Sequence, residues 1–159
     1  MRLFYQYFSG KDDLLVAVLE EAIGRAVKQA REAAASESDS LRRLAQYLNR
    51  AVTPSRTTAS RALARFVIEL GRSHPEELAR AHRPQVEFLS ELIDEAVESG
   101  ALPPGETTDR VYCISLIRSA YNQSRQLGNE YHTEMPTPME FTGFCLRALG
   151  ADHTVAMSD

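Results

Sequence analysis

"LFYQYFSGKDDLLVAVLEEA", Leu3 to Ala22, is the stretch on which the reading of this chain turns. Four aromatics, Phe4, Tyr5, Tyr7 and Phe8, stop at the turn signal Ser9-Gly10, and an amphipathic run starts at once. From Leu15 the apolar positions Val18, Leu19, Ala22, Ile23, Ala26, Val27 and Ala30 return at helical spacing. Ser9 with Asp12 three residues on has the form of a capping box. Lys11 sits where the helix dipole favours an anion, a mild conflict.

Working outward, the same periodicity accounts for nearly the whole chain. "SESDS", Ser36 to Ser40, is a polar connector able to cap a helix carrying Leu41, Leu44, Ala45, Leu48 and Val52, which stops near Pro54. A third helix carries Ala59, Ala62, Leu63, Phe66, Val67 and Leu70 and is predicted to end at Gly71. Pro75 suits the first turn of a short helix over 76–81, and a separate helix follows with Val86, Leu89, Leu92, Ile93, Ala96 and Val97, closed by Gly100 in a left-handed cap. After the loop "LPPGETT" come helices over 109–127 (Val111, Ile114, Ile117, Tyr121) and 138–149 (Phe141, Phe144, Cys145, Ala148, Leu149), and residues 150–159 are predicted to fray as a flexible tail. No window alternates with period two. The predicted fold class is all-α.

Composition limits the function. The 159 residues are 43% hydrophobic and 25% charged, enough for one domain with a core and far from a disordered chain. No apolar run reaches the roughly 18 residues that span a bilayer, so no membrane partner is expected and the location is expected to be cytoplasmic. The 18 Lys and Arg against 22 Asp and Glu give a net charge of −4, unsuited to holding phosphate backbones by bulk charge. Cys113 and Cys145 lack metal-type spacing and fit a reducing compartment. His74, His82, His132 and His153 are scattered, the carboxylate pairs Glu20-Glu21 and Glu76-Glu77 suit solvated faces, and the eight glycines form no phosphate loop. The expectation is no enzyme, no metal and no cofactor.

At "LFYQYFSGKDDLLVAVLEE" the order of an aromatic cluster, a tight turn, a Lys and a Leu-rich helix resembles the end of the DNA-binding domain in TetR-family transcriptional regulators. Arg61 to Gly105, "RALARFVIELGRSHPEELARAHRPQVEFLSELIDEAVESGALPPG", is similar to the middle of the family's C-terminal domain. The resemblance implies a remnant of a recognition helix over 1–8, a ligand-binding and dimerisation domain over 11–149, and a pair of closing helices that form a four-helix bundle with a second copy. It makes Tyr5 and Lys11 phosphate contacts in an intact regulator. The family's first DNA-binding helices have no counterpart in the sequence, so operator DNA is a partner only where they are present. The open alternatives are a shortened regulator, a mis-assigned start, or a helical dimer that binds a metabolite or protein without reading DNA.

The implied partners are therefore a second copy of the chain and an unidentified small-molecule inducer. Tyr47, Phe66, Leu70, Phe88 and Leu92 are candidate apolar walls of a pocket, each also suited to plain core. Arg118, Tyr121 and Asn122 put a cation, a hydroxyl and an amide on neighbouring positions of one helix. Arg118 there suits an inducer's carboxylate or phosphate, a helix carboxylate or the dimer face. Candidate dimer residues are Tyr112, Ser115, Leu116, Ser119, Phe141, Phe144, Cys145 and Ala148, where apolar and small side chains fall off the main stripe.

Overall fold

A computed structural model describes residues 11–53, 58–127 and 134–152. The described residues form six α-helices and no strand: α1 Lys11–Ala34, α2 Ser40–Val52, α3 Thr58–Ser73, α4 Pro75–Glu98, α5 Thr107–Leu127 and α6 Pro138–Ala148. They fall into two compact units, Met1–Gln29 with Ser55–Gln85, and Ala30–Pro54 with Val86–Asp159. In the first, Val16, Leu19, Ile23 and Val27 of α1, Leu70 of α3 and Ala81 of α4 are buried. An exposed ion pair, Arg80 to Glu20 at 3.0 Å, also lies within it.

The second unit holds the larger core. Leu44, Leu48 and Val52 of α2, Leu89, Leu92 and Ile93 of α4, Leu102, Ile114 of α5 and Cys145 of α6 are almost wholly enclosed. Helix α2 packs against both α5 and α6. Its start is the one expected from "SESDS": Asp39 is the N-cap, and its carboxylate accepts from the Arg42 backbone N–H at 2.8 Å.

Three expectations change. The stripe through α1 is too broad to face one core, and the buried row runs Val16, Leu19, Ile23, Val27 and Ala30, leaving Val18 and Ala26 exposed. The two helices expected over 76–97 are one, Pro75–Glu98, with Pro84 inside it. Proline removes one backbone bond, yet Ala81, Phe88, Leu92 and Ala96 keep one buried helical row on both sides of it. Gly71 lies within α3, which continues to Ser73.

The helix ends follow the glycines. Gly100 takes φ 76° after α4, and the carbonyls of Glu95, Ala96 and Val97 receive the N–H groups of Ser99, Leu102 and Gly100. After α6, Gly150 takes φ 91°. Its N–H reaches Arg147 O at 2.9 Å and that of Ala151 reaches Leu146 O at 3.0 Å, a Schellman pair. Gly150 and Ala151, expected in the tail, are thus part of the α6 cap.

Candidate functional site

The chemistry gathers in the second unit, along one row of α5. Ser115, Arg118, Asn122 and Arg125 recur at spacings that keep them on one side of a helix. Arg118 is only 9% exposed, and its Nη1 donates to the Tyr47 hydroxyl on α2 at 3.4 Å. The ring of Tyr47 meets that of Phe88 on α4 edge to face, with centroids 5.2 Å apart at 79°. Burial pushes the Tyr47 phenol above its ordinary range, while the charge and hydrogen bond of Arg118 pull the other way. The phenol stays protonated at neutral pH.

On its far side the cluster reaches the surface. The Arg31 guanidinium, in the last turn of α1, lies 4.5 Å from the centroid of the Phe88 ring. It also makes a two-pronged contact with Glu91 of α4, one prong Nη2 to Oε1 at 2.8 Å. That hydrogen bond holds the Arg31 pKa above and the Glu91 pKa below their ordinary values. Both groups are half exposed, so the pair fixes geometry more than it adds stability.

The remaining members of the α5 row hold the end of α2. Asn122 Nδ2 donates to Ala51 O at 3.4 Å, and Arg125 Nη1 donates to Val52 O. The last turn of any helix leaves carbonyls without intrahelical partners, and a cation there complements the dipole. Tyr121 points elsewhere. Its hydroxyl donates to Pro136 O at 2.5 Å, and its ring lies against Phe141 with centroids 4.6 Å apart. The amide and hydroxyl expected to orient a ligand therefore hold backbone carbonyls instead.

Of the pocket candidates, Tyr47, Phe88, Leu92, Arg118, Tyr121 and Asn122 belong to this unit, and Leu92 is deep core. Phe66 and Leu70 belong to the other unit, the first half-buried and the second buried. The dimer candidates divide. Tyr112 is 64% exposed, Leu116 52% and Phe144 50%. Ser119 and Ala148 are exposed and Ser115 is half-buried. Phe141 and Cys145 lie inside the protomer, because α6 turns that side toward its own core. Tyr5 lies outside the described residues, as does the Lys11 side chain.

Sequence reading passed over Arg31, Glu91 and Arg125, whose partners lie far away along the chain and leave no local signal. It also passed over Thr137 and Glu140, which the spacing Thr-x-x-Glu could have found. Among the described residues no three His, Cys, Asp or Glu side chains are grouped to hold a metal ion. No described helix is long and apolar enough to cross a membrane.

The fold is similar to that of RolR. The crystal structure of RolR in complex with the ligand resorcinol superposes with a TM-score of 0.70, at 20% identity, over 96% of this chain and 72% of RolR. What the two share is an all-helical fold. No protein-family model matches the chain, and no curated protein sequence matches it.

Proposed function

We propose that the chain is the ligand-sensing and dimerising part of a TetR-like transcriptional regulator, acting as a repressor in the cytoplasm. The observation that carries this reading is the likeness to RolR, a regulator of TetR-family-like fold solved with a small aromatic ligand. Its ligand part is assigned to the Tyr47, Phe88 and Arg118 cluster of the second unit, with Leu92 of the same unit as apolar surroundings. Its DNA part is assigned to residues 1–8 and Lys11, with Tyr5 and Lys11 contacting phosphate in an intact regulator. Ligand binding biases the population of two helix arrangements, and the bias reaches the DNA-reading end as a coupling free energy.

Self-association is assigned to the outer face of α5 with Phe144 and Ala148 of α6. Tyr112, Leu116, Ser119 and Ala120 share that face of α5 and none is charged, which suits an isologous contact with a second copy. Small residues at Ser119 and Ala120 let the helices approach closely.

Native mass spectrometry of the protein taken from its own host tests both parts at once. The expected result is a dimer of the 17.7 kDa chain that carries a small organic molecule or gains one when offered small aromatics such as resorcinol. A strictly monomeric protein that takes up none of them defeats the proposal.

A further inference from the structure

One polar atom in the second unit stands out. The Ser115 Oγ is buried and has no hydrogen-bond partner among the described residues. Serine in a helix usually sends its hydroxyl to solvent or back to a carbonyl one turn earlier, so a buried hydroxyl without a partner is costly. It sits three residues before Arg118 on α5, so the two side chains are neighbours on one face. Arg118 is itself nine-tenths buried and touches the Tyr47 hydroxyl. The Arg118 guanidinium thus touches a phenol, and a serine with an unsatisfied hydroxyl stands one turn before it on the same helix.

We propose that Ser115 and Arg118 receive the carboxylate of a small aromatic acid, whose ring lies against Tyr47 and Phe88. This rests on the ligand-sensing reading above and adds the ligand's chemical class and the anchoring residues. A guanidinium presents N–H donors in a planar fork that fits the two oxygens of a carboxylate, and a neighbouring hydroxyl adds one more donor. Tyr47, which Arg118 touches, and Phe88, packed edge to face on it, are the aromatic side chains beside the guanidinium. Asn122 and Arg125 are given no part, since each spends a donor on an α2 carbonyl. A ligand on Arg118 would nevertheless act on the same row that holds the end of α2, so its binding and the order of that end are coupled.

The test compares benzoate, its neutral isostere benzamide, and resorcinol by calorimetry and thermal melting on the full chain. Benzoate should bind at least about tenfold more tightly than benzamide, the scale of one hydrogen bond to a charged group. Ser115→Ala should weaken benzoate about tenfold and leave the melting temperature of the ligand-free protein unchanged or raised, since it removes an unpartnered hydroxyl. A residue with a purely structural role would not split those two readouts. Arg118→Met should abolish the preference for benzoate, and Arg118→Lys should restore part of it. Equal binding of benzoate and benzamide, wild-type benzoate affinity in Ser115→Ala, or no binding of benzoate at all overturns the assignment. If resorcinol binds with no dependence on Ser115 or Arg118, this assignment falls while the ligand-sensing reading stands. If nothing offered binds and nothing co-purifies, both fall.

Discussion

Helices α5 and α6 both pack against α2, but they do so with different chemistry. The buried side of α6 is Phe141, Thr142, Cys145 and Leu146, and its one hydroxyl, Thr142 Oγ1, is satisfied within the helix by Pro138 O at 2.8 Å. Helix α5 adds side-chain hydrogen bonds to α2, running from Arg118 on Tyr47 to Asn122 and Arg125 on the carbonyls of Ala51 and Val52. Apolar burial is non-directional and scales with area, so the α6 seam tolerates small shifts. Hydrogen bonds are directional and costly to leave unmade, so the α5 seam has few acceptable arrangements. Adhesion and geometry are thus divided between the two seams.

Substitutions in the two seams should separate these roles. Leu146→Ala, which removes a buried side chain from α6, should cost about 3 kcal/mol of stability in denaturant unfolding and leave the exchange rates of amides in the last turn of α2 close to the global value. Arg125→Met on α5 should cost about 2 kcal/mol, because it strands the buried carbonyl of Val52. Its mark should be local, with faster amide exchange near Thr53, whose N–H bonds to Asn49 O at 3.0 Å. If the two variants gave the same exchange pattern, the contrast between the seams would be empty.

A smaller effect is expected where α6 begins. Thr137 caps the helix: the Glu140 N–H donates to its hydroxyl at 3.2 Å, and the Thr137 N–H donates back to the Glu140 carboxylate at 2.8 Å. Thr137→Ala should cost about 1 kcal/mol. The backbone and hydroxyl bonds from Thr137 lower the Glu140 pKa. A carboxyl depressed in the folded state stabilises above its unfolded pKa, and that contribution is lost as pH falls through the folded one. Wild type should therefore lose stability on acidification below about pH 4.3 more steeply than Thr137→Ala, measured as melting temperature against pH.

The smallest expected signal uses the two thiols. Cys113 of α5 is exposed and Cys145 of α6 is buried, and burial pushes the Cys145 thiol up to about 11. A thiol raised in this way stabilises the fold fully below its unfolded pKa, and that contribution is lost as pH rises through about 11. At neutral pH an alkylating reagent should label Cys113 and spare Cys145. If Tyr112 and Leu116 face a second copy as proposed, labelling of Cys113 should slow as protein concentration rises. A labelling rate independent of concentration counts against that face.

How much of this was legible beforehand depended on the distance over which each feature is decided. The all-helical architecture, the Asp39 cap and the left-handed Gly100 rest on neighbours within a few residues, and the sequence carried them. The continuity of α4 through Pro84 was misread because proline is a local stop signal, while the buried row that overrides it spans several turns. The broad stripe of α1 named the helix but not which half faces inward, since that choice is made by what packs against it. Arg118 was singled out by its place among apolar residues. The partners of Asn122 and Tyr121 were not, because the carbonyls of Ala51 and Pro136 become neighbours only in the folded chain.

The loop after Leu102 has a consequence for handling the protein. Pro103, Pro104 and Gly105 read as an exposed tip of the kind proteases cut and engineers choose for inserting tags. Here Arg110 Nη2 donates to Pro103 O at 2.8 Å and to Pro104 O at 3.2 Å. A Cβ at Gly105 would stand 2.6 Å from the same nitrogen, and one at Gly150 would stand 2.7 Å from Pro103 Cγ. The tip is therefore held by a guanidinium and leaves no room for a side chain at Gly105 or at Gly150 in the cap of α6. Cleaving it or splicing into it requires first releasing Arg110, so the stretch that looks most permissive to insertion is among the less forgiving places on the surface.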